Sequence, residues 1–87
     1  MKLDKKCREL YEKANNNPAG IRFKELNKLC ECAGLKFDRS QGSHFIYKRE
    51  NPSFILSIQK MRDGKAKPYQ VRQLLDFIKD HSLNKGE

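Results

Sequence analysis

Tryptophan is absent from the 87 residues, histidine occurs only twice, and no apolar run approaches the length of a membrane span. With 37% hydrophobic residues, the expectation is a single thin core, because so short a chain buries only roughly 60–65% of its unfolded surface. An active site on such a chain would be an open surface rather than a deep pocket. The missing apolar run, together with the absence of a signal-peptide pattern, predicts a cytoplasmic chain with no membrane partner. The three cysteines, Cys7, Cys30 and Cys32, are too few and too odd in number for a disulfide framework. Cys30 and Cys32 point roughly 200° apart on a helix, so buried or half-buried thiols are expected. The acidic residues are scattered, with no pair at metal-ligand spacing on a shared strand. Neither a two-metal nuclease nor a cofactor is therefore expected.

What the chain does have is positive charge: the formal net charge is +8, concentrated in the middle. From Lys36 to Arg72 there are nine Lys and Arg against three Asp and Glu. A basic centre between more balanced ends suits a polyanionic partner; the plain alternative is a solvated, solubilising surface.

Hydrophobic spacing supplies the elements. Leu3, Cys7, Leu10, Tyr11 and Ala14 mark one helical face, and the run from Asn15 to Gly20 ends it. A second helix is predicted from Arg22 or Phe23 to Ala33. Ile21 could pack on Leu26 as a staple, Arg22 is a poor cap, and Gly34 is the left-handed terminator with Leu35 behind it. Three strands follow, over 37–40, 44–49 and 54–58, joined by turns at Gln41-Gly42 and at 50–53. Phe54, Leu56 and Ile58 alternate on one face. A basic loop over 60–67 leads to Pro68, which opens a helix with the core stripe Val71, Leu74, Leu75 and Ile78. The order α-α-β-β-β-α predicts an α+β fold, a three-stranded antiparallel sheet with helices on one face. Residues 1–20 read as an N-terminal helical extension, 21–81 as the core, and 82–87 as a tail.

The stretch from Gln41 to Tyr47 holds the chemistry. RNA carries its own nucleophile, the 2′-hydroxyl, so a metal-free ribonuclease needs a base, a proton donor and a nearby cation. A histidine can serve either acid–base role at neutral pH, which makes His44 the candidate. Arg39, Lys48 or Lys60 could stabilise phosphate charge, Gly42 would admit a phosphate to the turn backbone, and Ser43 could hydrogen-bond the RNA. Arg62, Lys65 and Lys67 would add phosphate contacts, with Tyr47 and Phe45 nearby for base stacking. Ser43 and His44 are strand neighbours pointing opposite ways, which disfavours a serine-hydrolase pair. On chemistry alone a lone histidine beside a turn is more often a surface residue or an RNA contact than a catalytic group. His81 reads as a charge complementing the end of the last helix.

Gly42-Ser43-His44 with Tyr47 three residues on resembles the G-S-H-x-x-Y motif of the HicA family of toxin–antitoxin toxins. The resemblance spans residues 22–80: a helix ending in Ala33-Gly34, a strand, the motif, another strand, a basic loop, and Lys67-Pro68 opening a Leu-rich helix. It implies a fold like the double-stranded-RNA-binding domain and activity as a small mRNA interferase. It further implies His44 as the catalytic histidine and a HicB-type antitoxin protein as partner. Apart from the resemblance, the free chain is expected to be monomeric. Many members of that family carry a further histidine just after the third strand, where this chain has Gln59-Lys60-Met61, so the second acid–base group stays unassigned. The alternatives are a non-catalytic RNA-binding module of the same fold and a basic protein-interaction domain.

Overall fold

The computed structural model describes residues 4–81; Leu3 of the first predicted helical face and the predicted tail, 82–87, lie outside them. The chain is an α+β fold: α1 (Lys5–Asn16), a 3-10 turn (Pro18–Gly20), α2 (Phe23–Cys32), β1 (Lys36–Gln41), β2 (His44–Arg49), β3 (Phe54–Gln59) and α3 (Pro68–Asp80). The strands form one antiparallel sheet in the order β1-β2-β3, with the helices on one face. The run from α2 to α3 has the element order of the double-stranded-RNA-binding domain, preceded by α1.

Local chemistry explains each boundary. Asp4 caps α1 by accepting the Cys7 N–H at 2.8 Å, the usual service of an N-cap carboxylate. Arg22 caps α2 with no side-chain acceptor, as its chemistry predicts, but Glu25 reaches back to accept the Arg22 N–H at 2.9 Å. Ile21 and Leu26, either side of that cap, are both fully buried. At the other end Gly34, at φ 85°, turns the chain out of the helix. Leu35 N–H then donates to Cys30 O and Gly34 N–H to Glu31 O, the paired bonds of a Schellman ending. Between β1 and β2 the loop is two residues, Gly42-Ser43. Gly42 sits at φ 59° and Ser43 does not share the positive φ, which fits a type II′ hairpin turn with glycine first.

The core lies between the helices and one face of the sheet. Tyr47, Leu56 and Ile58 come from the strands, Leu26, Leu29 and Cys30 from α2, and Val71, Leu74, Leu75, Phe77 and Ile78 from α3. The predicted extension belongs to the same core, with Cys7, Tyr11 and Ala14 buried in it. One buried polar side chain, Gln70, accepts the Gln59 N–H at 2.9 Å and so ties α3 to the end of β3.

The cysteines correct the expectation of three thiols. Cys7 and Cys32 form a disulfide, with Cα atoms 5.7 Å apart and a sequence separation of 25. The spacing of Cys30 and Cys32 describes how they diverge on α2; it carries no signal that the second meets Cys7 on a neighbouring helix. Cys30 is the free, buried thiol. Burial, with the Glu31 charge behind it, pushes that thiol well above its ordinary range.

Candidate nucleic-acid interface

Alternation along β2 decides what each side chain can do, because neighbours point to opposite faces. Phe45, Tyr47 and Arg49 turn toward the helices, while His44, Ile46 and Lys48 turn to the uncovered outer face. Cross-strand register then builds that outer face in rows. Gln41, His44 and Gln59 form the first, Arg39, Ile46 and Ser57 the second, and Lys36, Lys48 and Ile55 the third. Ile46 is buried at the centre yet lies outside the core cluster, and Ile55 is 61% exposed.

His44 is held on the outer face by a diagonal neighbour. Its Nδ1 lies 3.0 Å from Ser57 Oγ, leaving Nε2 as the ring nitrogen available to a ligand. A hydroxyl both donates and accepts, so Ser57 can hold either neutral tautomer of the ring and the protonated form as well. Beside it Gln59 Nε2 donates to Ser43 Oγ at 2.9 Å, which links the turn to β3. The polar residues that register and hydrogen bonding set beside His44, namely Gln41, Ser43, Ser57 and Gln59, are uncharged.

The cations expected at the site are distributed rather than gathered. Lys60 follows Gln59, which pairs with His44, so it leaves the sheet at the histidine end. Arg39 pairs with Asp38, a carboxylate at an irregularity in β1, and Lys48 approaches the same carboxylate at 3.8 Å. Lys48 sits four residues along β2 from His44, about 13 Å at strand rise. The loop carrying Arg62, Lys65 and Lys67 is anchored behind the sheet: Phe23 N–H donates to Gly64 O, and Ala66 N–H to Ile21 O. Lys65 N–H closes a tight turn on Asp63. Arg62 is exposed, and Lys65 and Lys67 are half-buried.

Tyr47 is a correction. Expected among the RNA contacts, it is 5% exposed, on the helix-covered face, and donates its hydroxyl to Asn27 Oδ1 at 2.7 Å. Burial, then the Cys30 and Glu31 charges, push its phenol up to about 12. Phe45 likewise packs edge-on against Phe23 and Phe37. Arg49 is also turned inward, donating to the carbonyls of Ala33, Asn51 and Pro52. The consecutive apolar residues of β2 concealed this division, which only the register resolves. The exposed aromatic of the sheet is instead Phe37, 52% exposed at the β1 edge.

Ser57 and Gln59 are site residues that sequence reasoning missed. Their signal was present in the alternation of β3: if Phe54, Leu56 and Ile58 face inward, Ser57 and Gln59 must face out. Among the described residues no group of three His, Cys, Asp or Glu side chains gathers as a metal site, and no helix is long and apolar enough to cross a membrane. Compared with family models, curated proteins and solved structures, the chain matches none.

Proposed function

We propose that this chain is a metal-independent endoribonuclease of the HicA type, a cytoplasmic toxin that cuts mRNA and is held in check by a HicB-type antitoxin. The observation that supports the reading is the placement of His44: on the uncovered face of a basic sheet, its ring held through Nδ1 by Ser57 at 3.0 Å, which leaves Nε2 for a ligand. In this mechanism Nε2 takes the proton from an RNA 2′-hydroxyl, and O2′ attacks the adjacent phosphorus. The O2′–P bond forms, the P–O5′ bond breaks, and the 5′-oxygen takes up a proton. The products are a 2′,3′-cyclic phosphate and a 5′-hydroxyl. Since the polar neighbours of His44 are uncharged, water at this open surface is the proton source for the 5′-oxygen. Lys60, which leaves the sheet at the histidine end, is the cation placed to offset the phosphate charge that grows in the transition state, with Arg39, paired to Asp38, one row further along the sheet.

The same neutral surroundings favour the second reading, an RNA-binding module of this fold that does not cut. The two separate on one digestion of a defined RNA in chelator, with the product ends identified. A 2′,3′-cyclic phosphate supports the nuclease; intact RNA with binding retained supports the module. Expression of the nuclease should arrest growth, relieved by its co-expressed antitoxin.

A further inference from the structure

The end of the sheet away from His44 carries a concavity of about 430 Å³, lined by Gly34, Lys36, Phe37, Asp38, Lys48, Arg49 and Glu50; the Arg49 guanidinium is taken up by backbone carbonyls. Three features of it are not explained by folding. Lys36 and Lys48 stand directly opposite one another across β1 and β2, an arrangement of like charges that destabilises a sheet. Asp38 relieves it only in part, being shared between Arg39 and Lys48. Phe37 leaves 52% of its surface exposed, although its ring meets Phe45 and Tyr47 edge-on. Glu50, at the tip of β2, has no ion-pair partner among the described residues, in a protein with an excess of cations.

Each feature answers to one part of a nucleotide. A pair of lysines suits a phosphate. An exposed phenyl ring suits a base, which stacks on aromatic side chains when single-stranded RNA is bound. An ionised carboxylate only accepts hydrogen bonds. Guanine alone among the four RNA bases presents two adjacent donors, N1–H and N2–H, on its pairing edge; adenine, cytosine and uracil place an acceptor beside every donor there. We infer that the cavity is a nucleotide-binding subsite selective for guanine, with Phe37 under the base, Glu50 on its N1–H and N2–H edge, and Lys36 and Lys48 on the phosphate. It rests on the RNA-directed reading of the sheet and carries it around the β1 edge, where Phe37 lies on the side of Phe45 and Tyr47 and the two lysines on the side of His44; it gives that reading a sequence preference, set about 13 Å along β2 from His44.

The test reads binding and needs no cleavage. The wild-type chain is titrated with GMP, AMP, CMP and UMP while backbone amide shifts are followed by NMR. GMP should move the amides of Phe37, Lys48 and Glu50 and bind about fivefold to tenfold more tightly than the other three, the scale of one exposed charge-assisted contact. Glu50→Gln, at an exposed turn position, should erase the preference and leave the fold intact. Phe37→Leu should weaken all four nucleotides together. Equal binding of the four, shifts confined to other residues, or a preference that survives Glu50→Gln would overturn the inference. RNA cleavage by a wild type without guanine preference would sink the subsite and leave the nuclease standing. Guanine-selective binding without cleavage would do the reverse.

Discussion

The two faces of β2 are made from the same six residues and have opposite fates. On one, Phe45, Tyr47 and Arg49 are taken up by the helices: an edge-on aromatic contact, a hydroxyl given to Asn27, a guanidinium spread over three carbonyls. On the other, His44, Ile46 and Lys48 meet no helix, and their polar partners come from neighbouring strands. The side chains that look most like nucleic-acid contacts by type, Tyr47 and Arg49, are spent on structure. The site is left to a histidine, two glutamines, two serines and cations. Residue type alone therefore misassigns function on a short sheet, and the period-2 register corrects it.

The sharpest way to break this comparison is to truncate equivalent residues of β3. Ile58, fully buried on the inner face, should cost about 2–5 kcal/mol on Ile58→Ala. Ile55→Ala, on the outer face, should stay within about 0.5 kcal/mol. Denaturant unfolding measures both, and similar losses would mean that the outer face is also covered. The helix layer behind the inner face offers a second test. The Cys7–Cys32 bond closes a loop through α1 and α2, so its reduction, or Cys7→Ser, should remove roughly 2–4 kcal/mol. Thermal melts with and without dithiothreitol check this. The same comparison says how the fold would stand in a reducing compartment, where such bonds are rare.

How much of this was legible in the sequence follows from what is local. The Gly34 helix ending, the Gly42 hairpin, the limits of β2 and the α3 stripe are written within a few residues, and each formed where spacing and turn chemistry put it. Three things were not local. The disulfide depends on how two helices pack. The inward turn of Tyr47 depends on register, which a run of consecutive apolar residues hides. The grip of Ser57 on His44 joins residues 13 apart on neighbouring strands, so neither residue announces it.

A smaller effect should come from Gln70, 2% exposed, whose amide oxygen satisfies the end of β3. Gln70→Leu orphans the Gln59 N–H and should cost about 1–3 kcal/mol, with amide exchange at Gln59 accelerating before that of Leu56. The smallest should come from Glu25. Burial pushes its carboxyl up, but the 2.6 Å Lys13 contact, the Arg22 N–H and the charges of both residues hold it below the ordinary 4.5. A depressed carboxyl stabilises the fold above its unfolded value, and this contribution fades as pH falls through the folded one. As pH falls through and below the ordinary 4.5, Glu25→Gln should therefore lose less stability than the wild type, as followed by unfolding at each pH.

The central claim, that the outer face of the sheet is where RNA is cut, is tested most directly by one digestion in chelator. It compares wild type, His44→Ala and Tyr47→Phe on the same defined RNA, with folding of each confirmed by thermal melting. The account predicts a loss of about 100-fold or more for His44→Ala, the scale of a removed acid–base group, with Tyr47→Phe close to wild type. Undiminished cleavage by a folded His44→Ala, or abolished cleavage by a folded Tyr47→Phe, would place the chemistry on the other face.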